Sequence, residues 1–434
     1  MSWRKAINRN HRGATACAAA LRLFRITLSS LISSYHAPLF CALCLLLCIG
    51  CKPSPNTHWV ATWATAEQLV EPHNCPPSPG LEGNTVRQIV EVSIGGETIR
   101  LRFSNRYGTE PVELCSVMVS RALSSGADFA VDETTTTGLT FQGQSVVIMN
   151  PGEEAVSDPI SFKLVEREDV AIDIRYGKAS STVVTGHPGS RTTSYLLPVG
   201  ETEWTSSIRV NHWYTVESIE VERSDDARAI AVLGNSITDG RGSTTNEQNR
   251  WTDNLSRRLL GNESTANVAV LNLGLGGNCV LEGGLGPTAK SRYTHDLFEQ
   301  AGVSHVILFE GVNDLGNAAD GSSVAYELID CYKQLAAEAH ERGLQVIVST
   351  ITPFMGNGYG TENHEQGRQI FNEWARSTSI MDGMIDFDRF IRCPEDPVRL
   401  DSLYLYEDDF LHPNATGYQV MADSIDLSLF ETIR

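Results

Sequence analysis

Ala229-Ile-Ala-Val-Leu-Gly-Asn-Ser-Ile-Thr-Asp-Gly240 joins an unbroken apolar run to a turn of small and polar residues. A strand that is apolar at every position is buried on both faces, as parallel strands covered by helices are. Three further runs have the same character: Val268-Ala-Val-Leu271, His305-Val-Ile-Leu-Phe309 and Leu344-Gln-Val-Ile-Val348. Helical spacing lies between them, most clearly from Ser322 to Arg342. There Val324, Leu328, Cys331, Leu335 and Ala339 share one face, and Gly343 stands where a C-terminal cap belongs. Strands alternating with helices predict a parallel α/β sheet over residues 224–434.

Ahead of it, from about Trp59 to Val221, the period is that of β-structure. Val86–Ile94 and Glu97–Phe103 flank Gly95-Gly96, which reads as a two-residue hairpin. In that register Val92 faces Ile99 and Val90 faces Leu101, with both apolar sets on one face. Short strands are expected at Leu139–Phe141, Ser145–Ile148, Ile160–Val165 and Val170–Tyr176, separated by turns such as Asn150-Pro151-Gly152. The expectation for 58–223 is an all-β sandwich of jelly-roll type.

Residues 1–50 carry Arg4, Lys5, Arg9, Arg12, Arg22 and Arg25 and no acid, and an apolar stretch from Pro38 leads to Cys51. This pattern predicts an export signal, too short for a comfortable membrane span. Ile49-Gly50-Cys51 resembles a bacterial lipobox, which implies lipidation of Cys51. Residues 51–57 then read as a tether, and the protein is expected to be secreted or lipid-anchored at the bacterial outer membrane or periplasm. The net charge is −19, and more negative once the basic leader is removed. Such a charge disfavours nucleic acid as a partner and leaves the membrane only through the anchor. Four of the ten cysteines fall in the leader. Cys75 and Cys115 are available to pair, but spacing does not decide it.

The chemistry lies at the strand ends. Ser236 comes three residues after the first apolar run, where α/β sheets form their sites, although serine also caps helices there. The Gly-x-Ser-x-Gly elbow of α/β-hydrolases does not occur. The second run leads into Asn272-Leu-Gly274-Leu-Gly276-Gly277-Asn278 and the third into Gly311-Val312-Asn313-Asp314. Glycine N–H groups and an asparagine amide are the donors that a developing oxyanion requires. Gly274-x-Gly276 is not a dinucleotide loop, because Cys279 stands where the third glycine belongs. Asp409 precedes His412 by three residues, a spacing that lets a carboxylate orient an imidazole on one side of a turn. No His-Glu-x-x-His or other metal-ligand cluster stands out, so neither a metal nor a cofactor is expected.

The order of these blocks is distinctive. Gly-Asn-Ser-x-Thr-Asp, Asn-x-Gly-x-x-Gly-Asn, Gly-x-Asn-Asp and Asp-x-x-His-Pro, spread over 229–420, resemble the SGNH (GDSL-type) hydrolase superfamily. The resemblance implies a flavodoxin-like three-layer α/β/α fold. It implies Ser236 as nucleophile, His412 as base and Asp409 as its orienter. It also implies an oxyanion hole from the N–H groups of Ser236 and Gly277 and the amide of Asn313. Trp59-Val-Ala-Thr-Trp63, Arg87-Gln-Ile-Val and Ser157-Asp158-Pro159 resemble a two-domain subgroup with a β-sandwich ahead of the hydrolase. One departure is Phe410, where glycine is usual; a bulky side chain there is expected to narrow the site.

The expected protein is a serine esterase acting on short acyl esters, acetyl above all, of a carbohydrate. A lipase or lysophospholipase is the rival enzyme. A non-catalytic glycan-binding surface protein is the rival of another class.

Overall fold

The computed structural model describes residues 57–431. The expected leader, Cys51 and the tether as far as Asn56 lie outside them. Five parallel strands form the sheet that carries the site: Arg228–Gly234, Val268–Gly274, Val303–Phe309, Gln345–Ser349 and Gly383–Ile385. In space their order is second, first, third, fourth, fifth. That is the flavodoxin-like order, with its switch point between the first and third strands. The first strand is flanked on both sides, Val232 pairing with Asn272 in one direction and with Ile307 in the other. Its residues Ala229 to Leu233 are almost wholly buried, which accounts for the unbroken apolar run.

The long helix spans Gly321–Glu341, one residue from its expected limits. Asp320 caps its start by accepting from Ser322 and Ser323 N–H. Gly343, at φ +76°, ends it, with Leu344 N–H returning to Ala339 O. The fifth parallel strand has three residues and was not visible as an apolar run.

Residues 58–223 form antiparallel sheets that share one apolar core. One sheet contains His58–Ala64, Val216–Arg223, Gly96–Ser104 and Glu154–Val156, with Ile160–Leu164 also on Gly96–Ser104. The other runs Ile208–Val210, Ser194–Leu197, Thr85–Glu91, Asp169–Tyr176, Val112–Ala122, Val131–Gly138.

The expected hairpin at Gly95-Gly96 does not form. Thr85–Glu91 pairs with Asp169–Tyr176, and Gly96–Ser104 pairs with Val216–Arg223, so the two segments belong to different sheets. Val90 lies opposite Val170 and Leu101 opposite Ile219, rather than opposite each other. The glycines serve close packing instead of a primed turn. A Cβ on Gly95 would lie 2.4 Å from Leu164 O, and one on Gly96 would lie 2.8 Å from Val221 Cβ. Leu139–Phe141 also forms no strand; the chain pairs just before it, at Val131–Gly138. Cys75 and Cys115 are both free thiols.

The antiparallel and parallel regions are joined through buried contacts. Ala61 N–H donates to Ala301 O at 2.8 Å. Val270 N–H donates to Ser93 Oγ at 3.1 Å, and Thr65 bridges to Asn272. The edge of the parallel sheet therefore continues into the β-region.

Candidate active site

Ser236 is the first residue of the short helix Ser236–Asp239, at the carboxyl end of the first parallel strand. Asn235 caps that helix, its side-chain oxygen accepting from Ile237 N–H at 3.0 Å. Its amide donates to Glu310 Oε2 at 3.0 Å, which fixes the turn to the end of the third strand. Gly274 makes the close approach possible, since a Cβ there would sit 2.3 Å from Asp239 N. Burial pushes the Glu310 carboxyl well above the usual carboxylate range, against the opposing charge of Arg292.

His412 comes from a turn 176 residues further along the chain. Its Nε2 lies 2.8 Å from Ser236 Oγ, and its Nδ1 lies 2.6 Å from Asp409 Oδ2. Asp409 Oδ1 accepts from the N–H groups of Leu411 and His412, at 2.9 and 2.8 Å. Asn357 Nδ2 holds the Asp409 carbonyl at 2.7 Å. Partial burial alone would raise the Asp409 pKa; the hydrogen bonds from the His412 ring and backbone outweigh it and lower the value. A charged carboxylate at Nδ1 fixes the proton on that nitrogen. Nε2 is then the lone-pair side, ready to take the Ser236 proton.

The donors expected around the oxyanion converge on the same cleft, whose lining includes Ser236, Gly277, Asn313 and His412. Gly277 has φ +68°, a conformation that favours glycine. Among the described residues, neither the Ser236 nor the Gly277 N–H has a protein acceptor. Asn313 spends one of its two amide hydrogens on Asn278 O, at 2.8 Å, and keeps the other. Asp314 takes the N–H groups of Val280 and Leu281, at 2.9 Å each at its nearest oxygens, and so binds the glycine loop to the helix that carries Asn313. All five residues expected at the site are thus brought together.

Phe410 does not narrow the cleft. It has φ +55°, the backbone region where glycine is favoured, and its ring packs against Gly356 and Arg399. Glycine's usual presence at this position is therefore a matter of backbone conformation.

Several supports were not legible in the sequence. Arg292 is fully buried and donates to Leu273 O at 2.8 Å, Gly234 O at 3.1 Å and Asn278 Oδ1 at 3.0 Å. One guanidinium thus ties two strand ends to the glycine loop. Its charge is met by Asp296 at 2.7 Å. The Asp239 carboxylate is held by His187 Nε2 at 2.9 Å and by Arg191 Nη2, both from the β-region.

Sequence reading found no metal-ligand cluster, yet Glu154, Glu217 and His295 bring three ligand atoms within 4.8 Å of one another. The carboxylates already have cationic partners. Arg102 lies 3.4 Å from Glu154 and 3.8 Å from Glu217, and Arg106 lies 3.4 Å from Glu154. The group reads as an ion-pair network where the β-region meets the parallel region. Burial would depress the His295 pKa. Hydrogen bonds to Asp296 and Glu154 and the charge of Glu217 prevail and raise it to about 10.

A flavodoxin-like sheet with a serine, an imidazole and a carboxylate in relay at its switch point defines the class of serine-dependent acyl hydrolases. Residues 232–420 match the GDSL-like lipase/acylhydrolase family, and over those residues the chain carries an ester hydrolase domain of that family. No curated protein matches the chain. Solved structures similar to it include an acetyl xylan esterase from Geobacillus stearothermophilus, 19% identical, covering 48% of this chain and 100% of that one at a TM-score of 0.35. A GDSL-like lipase from Bacteroides thetaiotaomicron is 18% identical and covers 47% and 88%, at a TM-score of 0.33. A lipolytic protein of the G-D-S-L family from Veillonella parvula is 21% identical and covers 47% and 98%, at a TM-score of 0.32.

Proposed function

We propose that the protein hydrolyses short-chain oxygen esters, acetyl above all, on a carbohydrate, through an acyl group carried on Ser236. The observation that carries this reading is the relay Asp409–His412–Ser236, with spacings of 2.6 and 2.8 Å, opening on a cleft lined by Gly277 and Asn313. Ser236 Oγ attacks the ester carbonyl carbon as its proton passes to His412 Nε2. The carbonyl oxygen becomes an oxyanion, met by the Ser236 and Gly277 N–H groups and the free Asn313 amide hydrogen. The tetrahedral centre collapses, the C–O bond to the alcohol breaks, and His412 returns the proton to the departing oxygen. Water, deprotonated by His412, then attacks the acyl-serine and releases the carboxylic acid and Ser236.

The preference for a carbohydrate is supported by the cleft lining, where Gln68, Asn74, Arg191, Asn313 and Asn357 greatly outnumber aliphatic side chains. A lipase needs a long apolar groove, and Pro188, Leu285 and Leu411 are the aliphatic side chains lining this cleft. An exported location is part of the proposal, with Cys51 lipidated and the chain anchored at the bacterial cell surface or outer membrane. The basic residues of 1–50 and the Ile49-Gly50-Cys51 sequence support it.

A chain-length series of p-nitrophenyl esters, run beside acetylated xylan, tests the substrate class. The reading expects the highest kcat/KM on acetate and release of acetate from the polymer. A rate that climbs with chain length beyond eight carbons would point to a lipase, and no turnover of any ester would overturn the reading. Mass spectrometry of the native N-terminus tests the anchor: a lipidated Cys51 supports it, and an unmodified terminus elsewhere removes it.

A further inference from the structure

The cleft at Ser236 has a volume of about 540 Å³, within the range of sites that enclose a ligand much larger than an acetyl group. One wall belongs to the parallel region and holds Gly277, Leu285, Asn313 and His412. The other is built by residues from the β-region: Gln68, Glu71, His73, Asn74 and Arg191, with Pro188 and Gly189 beside them. The first five are polar, and none of them belongs to the catalytic relay.

This second wall is held in place before any ligand arrives. The Glu71 carboxylate accepts from Gln68 Nε2 at 2.6 Å and from Asn74 Nδ2 at 2.9 Å. Tyr214, buried, donates its hydroxyl to Asn74 O at 2.9 Å. Gln68 is itself paired in a small sheet with Gly186, beside His187. Arg191 is held by Asp239, while Asn246 N–H donates to the Arg191 carbonyl at 2.9 Å. Its side chain is 27% exposed, so part of the guanidinium still faces the cleft. His73 is exposed on the same wall. A wall of amide and guanidinium groups held in place, with the exposed His73 imidazole beside it, matches a partner with many hydroxyls, and ordering those groups in advance lowers the entropy cost of binding.

We propose that the β-region forms the alcohol-side subsite of the enzyme, on which the sugar of an acylated saccharide rests. Asn74 and Arg191 donate to its hydroxyl oxygens, and His73 lies against the ring. The acyl group then occupies the opposite wall, beside Leu285 and the oxyanion donors. The proposal rests on the ester-hydrolase reading and adds the binding role of the β-region to it.

The test is kinetic, on the full protein with His73→Ala, Asn74→Ala and Arg191→Lys made singly. Each is assayed on an O-acetylated disaccharide and on p-nitrophenyl acetate, and the ratio of the two kcat/KM values is read. The expected result is a fall of about tenfold in that ratio for at least two variants, the equivalent of one lost hydrogen bond, carried by a higher KM for the disaccharide. An unchanged ratio in all three overturns the subsite, and so does an equal loss on both substrates, which marks a merely structural role. A wild-type protein active on p-nitrophenyl acetate but inert on any acetylated saccharide overturns the subsite and leaves ester hydrolysis standing. Inactivity on both substrates overturns the reading on which it rests.

Discussion

His187 Nε2 lies 2.9 Å from Asp239 Oδ1, and this contact joins the β-region to the helical turn that begins with Ser236. The two residues are 52 positions apart and both are buried. Arg191 closes the other oxygen of the same carboxylate.

Replacing Asp239 should therefore loosen the turn and take the negative charge away from a buried imidazole and a partly exposed guanidinium. Asp239→Asn is expected to lower unfolding free energy by about 3 kcal/mol, the scale for breaking a buried pair from one side. Burial raises the Asp239 pKa, but the Arg191 charge and the His187 hydrogen bond outweigh it and set the value below the ordinary one. A depressed folded pKa gives stability that is present above the unfolded value of about 4 and is lost as pH falls through the folded one. Urea midpoints should show a wild-type advantage at pH 6 that shrinks below pH 4. An advantage independent of pH would contradict the ionised pair.

His295 works in the opposite direction. Its pKa of about 10 stands above the ordinary value, with Glu154, Glu217 and Asp296 around it and Arg102 beside the two glutamates. Between about pH 6.5 and 10 the folded protein holds a proton that the unfolded chain has released, so stability falls as pH rises, by up to about 1.4 kcal/mol per pH unit. The stability gap between wild type and His295→Gln should be full below pH 6.5 and nearly gone by pH 10. Denaturation at pH 6, 8 and 10 measures it, and a constant gap would show that His295 is neutral in the fold.

Asn313→Ala should lower kcat by roughly 10²–10³ with a smaller change in KM, because the amide is proposed to serve the oxyanion in the transition state. The Asn278 carbonyl loses its partner in this variant, so part of the effect is on the glycine loop. Asn313→Asp keeps the shape and puts negative charge where the oxyanion forms; its kcat should fall further than that of alanine. Steady-state kinetics on p-nitrophenyl acetate decide, and a rise in KM alone would make Asn313 a ground-state binding residue.

The parallel region was legible because four of its five strands carry a continuous apolar stretch, such as Ala229–Leu233 and Val306–Phe309, which announces two-sided burial. Ser236, Gly277, Asn313, Asp409 and His412 follow those strands in a recognisable order, and the structure assembles them. Alternation in the β-region reveals faces but not partners. Val90 and Leu101 both point into the core, and that pattern fits a hairpin and a pair of opposed sheets equally well. Val131–Gly138 is an edge strand with exposed threonines, so it carries little apolar signal. Arg292 and Arg191 were missed for another reason. An arginine that holds a turn in place is indistinguishable in sequence from any surface one until its partner, Asp296 for Arg292 and Asp239 for Arg191, is placed beside it.

The central claim is that Ser236 carries the acyl group. Turnover of p-nitrophenyl acetate by purified, folded Ser236→Ala tests it directly. The account predicts a loss of roughly 10³-fold or more, with the melting temperature close to that of wild type. Near-normal turnover in that variant would contradict it.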